Sequence, residues 1–398
     1  MARIVCVTQF FPPETFAGAN RLGSMIDVLA RTHDVTVVTA SPSYPDPALY
    51  DRARAVEDDR ERPYRVARPL AFVPHGGSLL TRAVREHLMA LRLALRAARE
   101  PAEVVVTSSP SMFLGPVCLL LARARSSLFV WDIRDIGWDY AGESRMTSRR
   151  LRPAQRWLQR YMWAVTARAD LLVAASPGAA GRMSERVRGS ARVVLVENSV
   201  SRELIDACKP CAARIAKPRP LVAYVGLIGD AQAVGVLVDV AQSLPDVDFL
   251  IVGDGPERAE VDAQIAERGV RNVTLTGYLD RAGVLDVYTR ADILFGQLRD
   301  APTLNATSLP SKLYEYMATG KPVVYAGHGG AAELVDRVGC GVSVEPESAD
   351  AIATAVGELL GDATARDAMG RRGRAYVESA ADREAVFAEL AAAVARRL

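Results

Sequence analysis

Short apolar runs alternate with amphipathic stretches along the whole chain. Arg3–Thr8 and Asp34–Thr39 in the first half, and Leu221–Val225 and Asp248–Val252 in the second, have the length and the valine and isoleucine content of buried strands. Between such runs, apolar residues recur at three- and four-residue spacing, as on the buried side of a helix. This alternation predicts an α/β protein with parallel sheets that are covered by helices on both faces.

The alternation breaks once, over Ser199–Arg219, which carries two prolines, two cysteines and several charges. We therefore predict two doubly wound, Rossmann-like domains, residues 1–198 and residues 219–380, joined by a linker. A chain of 398 residues also exceeds what one core usually organises. The last helix, about residues 381–398, is expected to pack back on the first domain. Ligands bind such sheets at the carboxyl ends of the strands, so we expect the domains to face a common cleft.

The amino-acid composition limits the binding partners and the cellular compartment that we expect. The hydrophobic fraction is 49% and the net charge is +2, so no overall positive field favours nucleic acid. The five cysteines are an odd number and lie mostly in apolar runs, which is typical of reduced thiols in a cytoplasmic protein. A strand begins almost directly after Met1, and we expect neither a signal peptide nor a membrane-spanning helix.

The stretch Ser308–Val324 combines a helix with phosphate-binding chemistry. Pro310 suits the first turn of a helix and Gly320 suits its end. Backbone N–H groups at the helix N-terminus, beside Lys312, attract phosphate. Glu315, three residues later, can accept hydrogen bonds from sugar hydroxyls. The stretch therefore fits a nucleotide-sugar diphosphate, and it fits equally an ordinary helix with a surface ion pair between Lys312 and Glu315.

Two strand-to-helix turns are rich in small residues. The first is Gly18-Ala19-Asn20-Arg21, and the second is Gly226-Leu-Ile-Gly229. Small residues let the backbone approach a phosphate closely. We expect the first turn to contact the distal phosphate and the sugar, and the second to contact the diphosphate. For the first turn, a tight turn of any α/β protein is the alternative.

Asp135 follows the strand Leu128–Ile133 and is the candidate acid of the first domain. It could accept a hydrogen bond from the acceptor hydroxyl or from the transferred sugar. The alternative role is a cap for the segment that follows it.

A basic, aromatic helix is predicted over about Leu151–Arg168. Its arginines and the aromatic and apolar residues among them are Arg145, Arg149, Arg150, Arg152, Arg156, Arg160, Trp157, Tyr161, Met162 and Trp163. Such a face can lie on anionic lipid headgroups, which would give peripheral contact with the inner face of the plasma membrane. A solvated helix with one core-facing stripe is the alternative.

Ten blocks in order along the chain resemble the family 4 glycosyltransferases, which are retaining enzymes of the GT-B fold. The blocks are Gln9–Glu14, Gly18–Arg21, His33–Thr39, Ser43–Pro45, Thr107–Pro110, Asp132–Asp135, Glu197-Asn198, Gly226–Gly229, Val252–Pro256 and Ser308–Val324. More narrowly, the chain resembles the bacterial amino-sugar transferases of surface-polysaccharide synthesis. The resemblance implies a uridine-diphosphate sugar, such as an N-acetylhexosamine, a hydroxyl acceptor, no metal and no further cofactor.

The resemblance also implies roles for single residues. In the family, two glutamates separated by seven residues contact the donor sugar and the ribose; Glu315 matches the second, but Thr307 stands at the first position. A basic pair that often binds the diphosphate is replaced by Asp230-Ala-Gln232. The implied donor site therefore comprises Thr307, Ser308, Leu309, Pro310 and Ser311 together with Lys312 and Glu315. Lys312 and Asp135 are the implied catalytic residues, and Arg21 and Arg299 are the next cations if Lys312 does not serve.

These observations predict a retaining glycosyltransferase of polysaccharide or natural-product biosynthesis. In such an enzyme, the leaving diphosphate, stabilised by Lys312, can deprotonate the acceptor, so no protein nucleophile is needed. Two alternatives stay open. Thr307 and the missing basic pair would suit a non-catalytic partner subunit that binds a nucleotide sugar. A nucleotide-sugar epimerase of the same fold is the other.

Overall fold

The computed structural model describes residues 1–14, 17–43, 47–70, 79–140, 143, 152–187, 192–212, 217–381 and 383–397. The chain divides into two compact units. Unit 1 comprises Met1–Trp138, Pro153–Glu197 and Glu384–Leu398, and unit 2 comprises Asp139–Arg152 and Asn198–Arg383. Of the predicted blocks and clusters, Tyr44, Pro45, Arg145, Arg149 and Arg150 lie outside the described residues.

Unit 1 contains a parallel sheet of seven strands in the order β3-β2-β1-β4-β5-β6-β7. The strands are β1 (Arg3–Thr8), β2 (Asp34–Ala40), β3 (Arg65–Leu70), β4 (Val104–Ser108), β5 (Leu128–Ile133), β6 (Leu171–Ala174) and β7 (Arg192–Leu195). The helices between them are α1 (Ala17–Ala30), α2 (Arg52–Arg60), α3 (Leu79–Ala97), α4 (Leu114–Ala124), α5 (Gly137–Tyr140), which reaches into unit 2, α6 (Arg152–Thr166) and α7 (Pro177–Arg186).

Unit 2 contains a parallel sheet of six strands in the order β10-β9-β8-β11-β12-β13. The strands are β8 (Leu221–Val225), β9 (Asp248–Val252), β10 (Val273–Gly277), β11 (Ile293–Gln297), β12 (Val323–Ala326) and β13 (Gly341–Val344). The helices are α8 (Arg202–Ala207), α9 (Val236–Ser243), α10 (Arg258–Arg268), α11 (Arg281–Arg290), α12 (Pro302–Thr307), α13 (Ser311–Thr319), α14 (Gly329–Val338), α15 (Ala349–Gly361), α16 (Ala363–Ser379) and α17 (Arg383–Ala395), most of which returns to unit 1.

Both faces of each sheet are buried, as the near-continuous apolar runs require. In β1, Val5 and Val7 belong to a core that includes residues of α3, α4, α6 and α7, whereas Ile4 and Cys6 belong to a core on the other face, with α1 and α17. The prediction of two doubly wound parallel sheets is confirmed. None of the described helices is both long enough and apolar enough to cross a bilayer.

The segment predicted to be a linker is packed into unit 2 over its described residues. Ser201 caps α8 by accepting a hydrogen bond from the backbone N–H of Leu204 (3.2 Å). Ile205, Cys208 and Cys211 are buried in a core of unit 2. The linker prediction was therefore wrong for these residues. Their apolar pattern is too short to identify from sequence among the neighbouring prolines and charged residues.

The order of strands reverses between β1 and β4 in unit 1, and between β8 and β11 in unit 2. At such a switch point the helices that follow the two adjacent strands lie on opposite faces of the sheet, which leaves a crevice at the carboxyl ends. The loop Gly226–Gly229 follows β8, and α12 and α13 follow β11. The first turn of α1 follows β1. The sequence-predicted donor residues therefore lie near the two switch points.

The hydroxyl of Tyr316 connects α13 to the end of β8. It accepts a hydrogen bond from the N–H of Val225 and donates one to the carbonyl oxygen of Val225, both at 3.0 Å. On this side of β8, pairing with β11 reaches only Val222 and Ala223. Tyr316 thus replaces the missing strand at the last residue of β8, and it fixes α13 against the switch point.

We predict that Tyr316→Phe destabilises unit 2 by about 1–3 kcal/mol, because two buried backbone groups of Val225 lose their partner. Chemical denaturation measures the change in free energy of unfolding. Tyr325→Phe is the matched control, since the hydroxyl of Tyr325 is buried in the same core with no partner among the described residues. That control should be neutral or stabilising, and equal losses for both variants would contradict the assigned role of Tyr316.

Candidate active site

Helix α13 begins one residue later than predicted, with Pro310 at its N-cap rather than in its first turn, and it ends at Gly320 as predicted. Pro310 has φ −60° and precedes the first helical residue, Ser311, and Gly320 ends the helix in the left-handed conformation (φ 71°). Leu313, Tyr316 and Met317 are buried. Lys312 and Glu315 lie on the other side, where their side chains are 36% and 19% exposed.

Glu315 is held by two donors that share one of its oxygens. Its Oε2 accepts from the Nζ of Lys312 (2.8 Å) and from the hydroxyl of Tyr288 (3.1 Å). The ring of Tyr288 packs edge-on against Tyr316, with a centroid distance of 5.9 Å. Burial raises the pKa of Tyr288 well above its usual value, so this hydroxyl stays a donor. The Oε1 of Glu315 accepts no hydrogen bond from the described part of the chain, which leaves it available to a ligand.

The loop after β8 is shaped by two glycines of a neighbouring turn. Gly253 and Gly255 have φ of 143° and 158°, and a Cβ on either would lie 1.8 Å from the carbonyl oxygen of Gly226 or 2.2 Å from that of Ile228. The N–H of Gly226 donates to Val252 (2.9 Å), and that of Ile228 donates to Asp254 (3.0 Å). The N–H groups of Leu227 and Gly229 donate to no described residue. In this loop, therefore, the N–H groups of Leu227 and Gly229 are not used by the described part of the chain, whereas that of Gly226 is.

Asp230, which stands where the resemblance implies a basic pair, forms a buried ion pair with Arg299. The Nη1 of Arg299, from the loop after β11, lies 3.0 Å from the Oδ1 of Asp230, and both side chains are less than 10% exposed. The hydroxyl of Tyr140 donates to the Oδ2 of Asp230 (3.0 Å). Burial, followed by this hydrogen bond, raises the pKa of Tyr140 to about 12. The Nη2 of Arg299 donates to the carbonyl oxygen of Glu143.

Sequence reasoning missed Tyr140 and Glu143. The carboxylate of Glu143 accepts from the backbone N–H of Thr303 (3.0 Å to Oε2) and from its hydroxyl, and so caps α12. Glu143 and Thr303 are 160 positions apart in the sequence, so no local sequence pattern could have predicted their contact. Helix α12 itself was also unpredicted.

The remaining predicted donor residues of unit 2 serve mainly to build the turn before α13. The hydroxyl of Thr307, which is 5% exposed, donates to the carbonyl oxygen of Thr303 within α12 (2.7 Å). Ser308 is buried and ends α12 through its N–H, which donates to Leu304 (2.8 Å). The carbonyl oxygen of Leu309 accepts from the amide of Asn198 (2.7 Å).

In unit 1, Gly18, Ala19 and Asn20 form the first turn of α1, and Asn20 is half-buried. Arg21 is only 4% exposed. Its guanidinium pairs with Asp132 (3.1 Å), donates to the carbonyl oxygen of Val196 (2.8 Å) and lies over the ring of Phe387 (5.4 Å). Arg21 therefore holds together β5, the segment just after β7 and α17, and its predicted contact with a donor stays a prediction.

Asp135 is exposed and lies two residues beyond the end of β5. It precedes the first residue of α5, Gly137, by two positions. The side chain is thus accessible at the carboxyl edge of the unit 1 sheet. Among the residues that the structure describes, no group of three or more His, Cys, Asp or Glu side chains could hold a metal ion.

Two protein-family models match the chain. The model for the glycosyl transferase 4-like domain matches residues 18–199, and the model for glycosyl transferases group 1 matches residues 211–376. The chain is 28% identical over 238 residues to 2-deoxystreptamine glucosyltransferase of Streptomyces kanamyceticus, which covers 56% of this chain and 58% of that enzyme. It is 25% identical over 384 residues to a GDP-mannose-dependent phosphatidylinositol monomannoside mannosyltransferase of Mycolicibacterium smegmatis, covering 93% of this chain and 92% of that enzyme.

Solved structures share the fold of the whole chain. Sucrose-phosphate synthase from Thermosynechococcus elongatus matches with a TM-score of 0.76 at 19% identity, covering 100% of this chain and 99% of that one. HepE of Anabaena, crystallised with UDP and glucose, matches with a TM-score of 0.71 at 17% identity, covering 99% and 100%. These likenesses establish the GT-B fold. The two family models together span most of the chain, so the protein belongs to the glycosyltransferases, with a glycosyl transferase 4-like domain at residues 18–199 and a group 1 domain at residues 211–376.

Proposed function

We propose that the chain is a retaining glycosyltransferase that moves a hexose or N-acetylhexosamine from a uridine-diphosphate donor to a hydroxyl acceptor. Residues 219–380 bind the donor in this proposal, and residues 1–198 provide the acceptor side. The observation that carries it is the open Oε1 of Glu315 on α13, together with the N–H of Gly229, at one switch point of unit 2. A carboxylate suits ribose hydroxyls, and a backbone donor beside a lysine suits a diphosphate.

The uridine and amino-sugar parts rest on relatives. HepE was crystallised with UDP-glucose, and an α-D-kanosaminyltransferase of Streptomyces kanamyceticus is 31% identical over 156 residues. The mycobacterial relative uses GDP-mannose. We favour uridine and the amino-sugar branch, with an acceptor from natural-product or polysaccharide biosynthesis.

The proposed mechanism needs no protein nucleophile. The bond between the anomeric carbon and the diphosphate breaks, and the acceptor oxygen attacks from the same face. A diphosphate oxygen takes the acceptor proton. Lys312 and the N–H of Gly229 stabilise the charge that develops on the diphosphate, which is the main contribution that a protein can make to such a step. Asp135 orients the acceptor hydroxyl, and Ser311 and the first turn of α1 contribute further polar groups.

A donor screen tests the function. Uridine-diphosphate sugars should raise the melting temperature more than guanosine-diphosphate sugars do, and one of them should release uridine diphosphate with a suitable acceptor. The anomeric proton coupling of the product should show retained configuration. A preference for guanosine would contradict the assigned base, and inversion would contradict the mechanism. Binding without turnover of any acceptor would favour a non-catalytic subunit.

Glu315→Ala should weaken the binding of uridine diphosphate by more than about tenfold, because each charge-assisted hydrogen bond contributes roughly 1.5–3 kcal/mol. Calorimetric titration measures the dissociation constant. A uridine diphosphate that lacks both ribose hydroxyls should bind the wild type and the variant equally. Tyr288→Phe is the control, since it removes the hydrogen bond to Oε2 and keeps the carboxylate. An unchanged dissociation constant for a folded Glu315→Ala protein would contradict ribose binding by Glu315. Its role would then be limited to the ion pair with Lys312.

Lys312→Ala should slow turnover by about tenfold to a thousandfold and weaken uridine monophosphate binding much less, because Lys312 acts on the departing diphosphate. Stability should be unchanged or slightly higher, since a cation in the first turn opposes the helix macrodipole. Lys209→Ala is the matched control, because Lys209 forms an exposed ion pair with Asp206 at the same three-residue spacing (2.7 Å). If Lys312→Ala retains full turnover, the phosphate cation lies elsewhere, and Arg21 and Arg299 are the next candidates.

A further inference from the structure

A row of aliphatic side chains lies exposed along α3. Val84, Leu88, Leu91 and Leu95 are 51%, 52%, 50% and 60% exposed. Their spacing of four, three and four residues places them on one stripe over three turns of the helix. The opposite side of α3, which includes Met89 and Leu93, is buried against the sheet. A surface helix normally places polar residues on its outer side, so a continuous outer aliphatic stripe needs an explanation.

Further exposed apolar residues lie on α4 and α6. Leu120 on α4 is 70% exposed, and Trp157 and Tyr161 on α6 are 67% and 40% exposed. The rings of Trp157 and Tyr161 stack with a centroid distance of 5.5 Å and an interplanar angle of 2°. Of the large apolar side chains that the structure describes as exposed, most lie on these three helices.

The three helices form one layer on one face of the unit 1 sheet. Their buried residues, among them Leu93 of α3, Cys118 of α4 and Met162 of α6, belong to one core. The ring of His87 on α3 contacts that of Phe113, just before α4, at a centroid distance of 3.7 Å. The guanidinium of Arg125, just after α4, donates to the carbonyl oxygens of Ala98 and Glu100. Helices α3 and α4 thus run side by side, with their outer sides turned away from the sheet.

Arginines border the apolar residues. Arg92 follows Leu88 by four positions and Arg99 follows Leu95 by four, and both are exposed. On α6, Arg152, Arg156 and Arg160 recur every four residues and are exposed. None of these five arginines forms an ion pair with a described residue. Glu86, which is half-buried, is the one carboxylate within α3, α4 and α6.

We propose that the outer side of α3, α4 and α6 is a docking surface for an anionic lipid bilayer. The aliphatic stripe would enter the boundary between headgroups and acyl chains, and the arginines would meet lipid phosphates. Trp157 and Tyr161 combine an apolar ring with a polar tip, and such residues are enriched at that boundary.

The charge pattern favours a bilayer over a second copy of the chain. A two-fold contact through this surface would oppose arginines to arginines with almost no carboxylate to compensate them, which repels. A nucleic acid would engage the arginines and leave the aliphatic stripe in water. A bilayer with anionic headgroups satisfies both the apolar and the cationic residues.

Vesicle sedimentation of the full chain tests the proposal. Wild-type protein should sediment with vesicles of phosphatidylcholine and phosphatidylglycerol, and weakly or not at all with phosphatidylcholine alone. High salt should weaken the binding, because screening reduces the attraction between arginines and headgroups.

Two double variants separate the contributions. Leu88→Glu with Leu95→Glu should reduce partition into anionic vesicles by about tenfold or more, because two apolar side chains no longer leave water. Arg156→Ser with Arg160→Ser should reduce partition and flatten its salt dependence. Val56→Glu is the control, since Val56 is an exposed apolar residue (45%) on α2, outside this surface. All variants should keep the wild-type rate of nucleoside-diphosphate release in solution, so that failure here is distinct from failure of the proposed function.

Three outcomes would overturn the proposal. The first is that wild-type protein ignores anionic vesicles. The second is that both double variants bind these vesicles as the wild type does. The third is a concentration-dependent dimer, or binding to a DNA duplex, that the double variants abolish while vesicles are not bound; this would assign the surface to that partner instead.

Discussion

The position of α13 at the end of β8 depends on the pair of hydrogen bonds between Tyr316 and Val225. The position of a helix along the strands it packs against is set by specific contacts between them. In unit 2, the hydroxyl of Tyr316 pairs with both backbone groups of Val225, where β11 no longer reaches β8. The same ring packs against Tyr288, whose hydroxyl holds Glu315. One buried tyrosine therefore sets the position of the carboxylate relative to the glycine loop.

The charged side chains near α13 and the loop after β8 are arranged unusually. Lys312 stands in the first turn of α13, where a cation opposes the helix dipole, and its partner Glu315 lies one turn further on. Asp230, in the loop after the first strand of unit 2, forms a buried ion pair with Arg299. Local features that cost stability are typical of functional sites. A bound diphosphate would place negative charge at the N-terminus of α13 and so relieve the first of these conflicts.

The fold was predictable because its signals are local and repeated. Valine-rich runs between amphipathic segments specify buried parallel strands, and Pro310 and Gly320 mark the ends of α13 to within one residue. The failures share a cause. Helix α12, the capping of its N-terminus by Glu143 and the pairing of Asp230 with Arg299 depend on residues that are distant in sequence. Burial of Arg21 was also invisible, because its partners come from β5, the segment after β7 and α17.

Hydrogen exchange with and without uridine diphosphate tests the central claim most directly, which is that α13 and the loop after β8 bind the donor. The N–H groups of Leu227 and Gly229 donate to no residue in the described part of the chain, so they should exchange rapidly in the ligand-free protein. Saturating uridine diphosphate should slow exchange at Leu227–Gly229 and at the first turn of α13, near Ser311 and Lys312. Unchanged exchange at both places, with the nucleotide bound, would contradict the account.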